Sequence, residues 1–119
     1  MTEIEVVGQR VSLQHLVAVA EGSFGDLVKA VVDVEKGIMA IGGELHADEE
    51  AVLLAGGSRQ SDLWGINLYP AEYGAATWIE FDSMINIRPA QGNRWRGVGD
   101  ATTRERIAHI VDRLVVAVR

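Results

Sequence analysis

The sequence predicts a single α+β domain, a mainly antiparallel sheet of four to five strands with helices packed on one face. Residues 27–35, 64–69 and 77–88 alternate apolar and polar side chains with period two, and successive side chains of a strand point to opposite faces. The first of these runs leads through Lys36-Gly37 into Ile38-Met39-Ala40-Ile41, the pattern of a hairpin whose glycine supplies a positive φ. Near the C-terminus Ile107, Ile110, Val111, Leu114, Val115 and Val118 recur at helical spacing, an apolar stripe suited to lie on a sheet.

Taken in order, residues 3–7 read as a short strand. Ser12 stands where an N-cap belongs, before Leu13, Leu16, Val17 and Ala20 at helical intervals, and Gly22 marks the stop. Residues 27–35 and 38–41 form the hairpin over a two-residue turn at Lys36-Gly37. Gly42-Gly43 redirects the chain, and Asp48 caps a helix running to Leu54, with Glu49 and Glu50 in its first turn, where the helix dipole favours negative charge. Residues 59–63 connect to a strand at 64–69 that Pro70 ends. After a loop at 71–76, residues 77–88 read as an antiparallel neighbour. One strand of that length would span about 40 Å at roughly 3.3 Å per residue, so a bend near Ser83 is expected. Pro89 to Gly99 forms a loop, and Asp100 or Thr102 caps the last helix.

An apolar share of 48% with 24% charged residues is that of a globular chain. No stretch reaches the roughly 18 apolar residues needed to span a bilayer. The start, Met1-Thr2-Glu3-Ile4-Glu5, has no signal-peptide core, which predicts a cytoplasmic protein. Absence of cysteine excludes disulfides, thiolate metal sites and a thiol nucleophile. The net charge of −6 argues against general nucleic-acid or anionic-membrane binding. It is unevenly spread, acidic over residues 1–60 and basic from Met84 onward, which allows contact between copies of the chain.

Three phrases, residues 34–50 (Val34-Glu35-Lys36-Gly37-Ile38 through His46-Ala47-Asp48-Glu49-Glu50), Leu63-Trp64-Gly65-Ile66-Asn67-Leu68-Tyr69-Pro70, and Trp78 to Arg94, give the chain a family resemblance. It resembles a bacterial family of small soluble proteins of unknown function, over roughly Val11 to Val115. Trp95 departs from the family pattern, where a small polar residue is usual. The resemblance implies no activity.

Three groups of residues could carry chemistry. His46 with Asp48, Glu49 and Glu50 has donors for a divalent ion. Helix capping and dipole complementation explain three of the four, so no metal is expected. The second group is the polar side of residues 67–88. If the two strands pair, Asn67, Tyr69, Glu80, Asp82, Asn86 and Arg88 converge; Trp78 and Met84 share that parity, as if something covers them. The third is the loop carrying Gln91, Asn93, Arg94, Trp95 and Arg96, which could hold an anion or stack a base. Together Asn67, Tyr69, Trp78, Glu80, Asp82, Asn86, Arg88, Gln91, Asn93 and Arg94 form the candidate ligand surface. The expected function is a non-enzymatic small-ligand or protein-interaction module, acting as a homo-oligomer, a dimer, through the last helix or the Trp78/Met84 surface. The alternative is a small metal-dependent or acid–base hydrolase using His46 with Glu80 and Asp82. No cofactor is expected, and no serine sits in a nucleophile-elbow pattern.

Overall fold

In the computed structural model, which describes residues 3–117, Val118 of the expected stripe lies outside the described residues. The elements are Glu5–Val7 (β1), Val11–Ser12 (β2), Leu13–Glu21 (α1), Val28–Asp33 (β3), Ile38–Ile41 (β4), His46–Ala55 (α2), Leu63–Leu68 (β5), Ile79–Glu80 (β6), Ala101–Leu114 (α3) and Val115–Val116 (β7). Single 3-10 turns occur at Gln60–Asp62, Pro70–Glu72, Met84–Asn86 and Pro89–Gln91. Five strands form one sheet in the order β1-β4-β3-β5-β6, every neighbour antiparallel. The class is α+β, as the alternation predicts. A second, parallel pair joins β2 to β7; two residues on each side were too short to announce themselves in sequence.

The layering differs from expectation, because helices cover both faces of the sheet. Val28, Ala30, Val32, Met39, Ile41, Ile66 and Leu68 belong to one core cluster with Leu16 and Ala20 of α1 and Ile107, Val111 and Leu114 of α3. Their neighbours Val31, Ala40 and Leu63 pack against Leu53 of α2 in a separate cluster. The signal for this lay in Ala30-Val31-Val32, three consecutive apolar residues, since a strand buried on both faces loses its alternation. The buried face of α3 lies in the main cluster, and Trp78 is only 4% exposed there. Both are therefore packed within the chain, while Met84 remains 65% exposed.

Local chemistry sets the ends of the elements. Ser12 caps α1 by accepting from the His15 amide at 3.0 Å, and Asp100 caps α3 by accepting from Thr103 at 3.0 Å. The hairpin turn spans four residues, 34–37, instead of two. Buried Asp33 organises it, Oδ1 accepting from the amides of Glu35 and Lys36 at 2.9 and 2.8 Å and Oδ2 from Ser58 Oγ at 2.6 Å. Gly37, at φ +68°, closes it. α2 starts at His46, two residues before the expected Asp48 cap. Leu45 holds its N-cap position and no side chain caps it.

The largest correction concerns residues 77–88. Only Ile79 and Glu80 pair with β5; the chain then leaves the ladder, and Ser83 opens a 3-10 turn by accepting from the Ile85 amide at 3.2 Å. Asn86 replaces the missing strand. Its Oδ1 accepts from the Gly65 amide at 2.8 Å and its Nδ2 donates to the Gly65 carbonyl at 2.9 Å. One side-chain amide thus continues the hydrogen bonding that a longer β6 would have supplied. The approach requires glycine at 65, where an added Cβ would stand 2.5 Å from Ser83 Cβ.

Candidate functional site

Of the expected polar surface, Asn67, Tyr69 and Glu80 do come together. Asn67 Nδ2 and Tyr69 Oη donate to Glu80 Oε1 at 2.8 and 2.9 Å. Burial, then the Glu80 contact, raises the Tyr69 phenol above its ordinary range, so it stays a donor at neutral pH.

Further along, the expected ligand residues bond to the chain itself. Asn86 also donates to the Arg96 carbonyl at 2.9 Å. Arg88 lies 4.0 Å over the Trp64 ring and donates to the carbonyls of Gln60 and Leu63, the latter at 2.6 Å. Gln91 donates to Ser61 at 3.1 Å. Asn93, 5% exposed, donates to Asn86 and Gly97 at 2.7 and 2.8 Å and accepts from the Gly99 amide at 2.9 Å. These contacts shape the 88–99 loop, and Arg94 projects from it exposed. Trp78, expected on the open polar face, is turned into the core against Tyr73, with ring centroids 5.1 Å apart. The ladder frays at this residue: its carbonyl accepts from the Tyr69 amide at 3.0 Å, while its own amide donates back to the Ala75 carbonyl at 3.1 Å.

Another cluster assembles on the sheet face that carries α2. Lys29 of β3 stands opposite Asn67 of β5 in the ladder. Over them lie the N-terminal end of α2 and the segment after β6. The resulting recess, about 200 Å³, is bordered by Lys29, His46, Asn67, Asp82 and Arg96. Leu45 and Met84 form part of its apolar wall. Sequence reasoning named His46, Asn67, Asp82 and Arg96 in three separate groups but missed Lys29, whose only signal was its shared parity with Asp33 along β3.

Each polar group has a distinct state. His46 Nε2 pairs with the Ile66 carbonyl at 2.8 Å; a carbonyl only accepts, so Nε2 carries the proton and Nδ1 is bare. Burial lowers the His46 pKa below its ordinary value, and the ring is neutral at pH 7. Arg96 Nε meets Asp82 Oδ1 at 2.7 Å. Lys29 Nζ lies 5.0 Å over the Phe24 ring. Asn67 Oδ1 is buried without a partner. Of the remaining cluster expected near His46, Glu49 turns away and accepts from the Gly43 amide at 2.9 Å. Desolvation pushes its carboxyl up to about 9. Among the described residues no three or more His, Asp or Glu are grouped to hold a metal ion, and no helix is long and apolar enough to cross a membrane.

A larger groove of about 610 Å³ runs between the 34–37 turn and α3. Its arginines are engaged there, Arg106 donating to Val34 at 2.8 Å and Arg113 to Gly37 at 2.7 Å. The smaller recess is the one bordered by the start of α2, which no side chain caps.

Fold and recess together describe an antiparallel α+β domain with a small, cation-bordered depression on one sheet face. Over residues 5–114 the chain matches the family described as protein of unknown function (DUF5674), and it belongs to that family. No curated protein and no solved structure matches it.

Proposed function

We propose that the chain is a non-enzymatic binding module that holds a small anionic molecule in the recess beside α2. The observation that carries this reading is the uncapped start of α2 opening beside Lys29. First-turn amides form the positive end of a helix and are a ready anion site. Leu45, His46 and Ala47 border the recess, and no side chain caps those amides. Lys29 and Arg96 add positive charge, against Asp82 as the single acid among the bordering residues.

Leu45 makes the reading testable, because its extended backbone, φ −126° and ψ 139°, is the conformation an N-cap adopts. Leu45→Asp would place a carboxylate on the amides that the anion needs. The variant is expected to gain about 1 kcal/mol of stability and to lose anion binding. Lys29→Met is expected to weaken binding about tenfold, roughly 1.4 kcal/mol. Amide chemical shifts of residues 45–48 during titration with phosphate or acetate provide the measurement. Shifts that persist unchanged in Leu45→Asp, or their absence from the wild-type chain, remove the proposal.

A further inference from the structure

Of the three tryptophans, Trp64 and Trp78 are 7% and 4% exposed, whereas Trp95 is 61% exposed. It is nonetheless seated. A Cβ added at Gly97 would stand 2.8, 2.9 and 3.0 Å from three adjacent atoms of its six-membered ring. Near-equal distances of that kind belong to a point above the face of a ring, not beyond its edge, so the indole lies flat on the Gly97 backbone. At the other end of the indole, a Cβ at Gly99 would be 3.5 Å from Nε1. Neither glycine has a positive φ, so the ring itself excludes a side chain at Gly97. The backbone beneath is fixed as well. Buried Asn93 donates to the carbonyls of Trp95 and Gly97 at 3.1 and 2.8 Å. Asn86 and the Ser83 amide donate to the Arg96 carbonyl at 2.9 and 3.0 Å. An aromatic face already held in place gives up little freedom when a flat partner stacks on it.

We infer that the outer face of Trp95 is a stacking platform for a planar heteroaromatic ring that carries a negative charge, a nucleoside monophosphate being the simplest such ligand. This site is separate from the recess beside α2 and does not depend on it. The charge follows from the surroundings. Arg94 and Arg96 flank Trp95 in the chain. Arg104 donates to the carbonyls of Val98 and Gly99 at 2.6 and 3.0 Å, beside the seat. Of the nearby acids, Asp82 is paired with Arg96 at 2.7 Å and Asp100 accepts from the Thr103 amide at 3.0 Å. That leaves Arg94 and Arg104 to attract an anionic group, which their donors suit. A nucleic-acid strand is the poorer source of the ring. A single platform on a chain of net charge −6 lacks the run of phosphate contacts a strand needs.

Adenosine monophosphate, adenosine and ribose phosphate, titrated into the full chain at constant ionic strength, separate ring from charge. The readout is the indole N–H resonance of Trp95, identified by its loss in Trp95→Leu; phosphate bound in the recess reports instead through the amides of residues 45–48. The monophosphate is expected to shift the Trp95 resonance with a dissociation constant of about 1 mM, and adenosine to bind about fivefold more weakly. Ribose phosphate is expected to leave it in place, and the Trp64 and Trp78 resonances are expected to stay put throughout. In Gly97→Ala the added methyl lifts the ring from its seat, so the monophosphate is expected to bind about fivefold more weakly while the chain stays folded. Equal binding of ribose phosphate and the monophosphate overturns the stacking, and equal binding of adenosine and the monophosphate overturns the call for charge. Undiminished binding in Gly97→Ala overturns the seated platform. An oligoadenylate that binds more tightly than its number of bases accounts for overturns the choice of a single nucleotide. A Trp95 resonance that moves when the chain alone is diluted puts a second copy on this face and overturns the proposal, as does silence from all three compounds.

Discussion

At pH 8 the Glu49→Gln variant is expected to withstand more denaturant than the wild-type chain, and at pH 5 the advantage is expected to shrink sharply. Glu49 is fully buried, and its carboxyl titrates near 9 because burial disfavours the charged form more than the Gly43 amide favours it. An unfolded glutamate titrates near 4.5. Between those values the folded chain holds a proton that the unfolded chain has shed. This acid is therefore the reverse of an ion-paired one: the folded state is favoured at low pH, and that advantage is lost as pH rises from about 5 to 9. The slope approaches 1.4 kcal/mol per pH unit, or about 4 kcal/mol between pH 5 and 8. Glutamine keeps an acceptor for the Gly43 amide and does not ionise, so its stability lacks this slope. Urea denaturation of both chains at pH 5, 6.5 and 8 measures the difference. A gap that widens by less than about 1 kcal/mol over that range would mean that the carboxyl is solvated and ionises normally.

Replacing Asn86 with alanine is expected to have the other large effect, a loss of about 3–5 kcal/mol. The side chain is fully buried. Its removal leaves the Gly65 amide and carbonyl without the partners they now have, and leaves the Arg96 carbonyl with the Ser83 amide alone. Each buried group so orphaned costs about 1–3 kcal/mol, against about 5–15 kcal/mol for a whole domain. Asn86→Asp keeps the shape but sets a carboxylate oxygen against two carbonyls, and is expected to be at least as damaging. Arg94→Ala, at an exposed position of the neighbouring loop, serves as the near-neutral control within about 0.5 kcal/mol. Chemical denaturation with all three variants settles the ranking; a loss below about 1 kcal/mol for Asn86→Ala would show that water replaces the amide freely.

The comparison of sequence with structure turns on how far each signal reaches along the chain. Alternation at 27–35 and 64–69, the Ser12 and Asp100 caps and the α3 stripe are local patterns, and each produced its element. The run at 77–88 failed because alternation reports which side a residue prefers and says nothing about whether backbone partners exist. Here a buried asparagine and a glycine at 65, distant in sequence, make the ladder bonds instead. Of the polar residues singled out there, Asn86 and Arg88 bond to carbonyls of their own chain. Those partners belong to the backbone, which composition does not describe. Lys29 and the open start of α2 gave little warning, since the recess exists only once β3, β5 and α2 are stacked.

The ladder's substitution by a single amide also governs how the molecule meets its neighbours. A sheet flank with free backbone groups invites a foreign strand to dock and extend it. Here the β6 flank offers a foreign strand two residues to zip onto before the chain folds across in a tight coil. At the opposite margin β1 has only three. Neither border is long enough to template stacking of one molecule on the next, so the fold resists fibril-like growth by its own geometry.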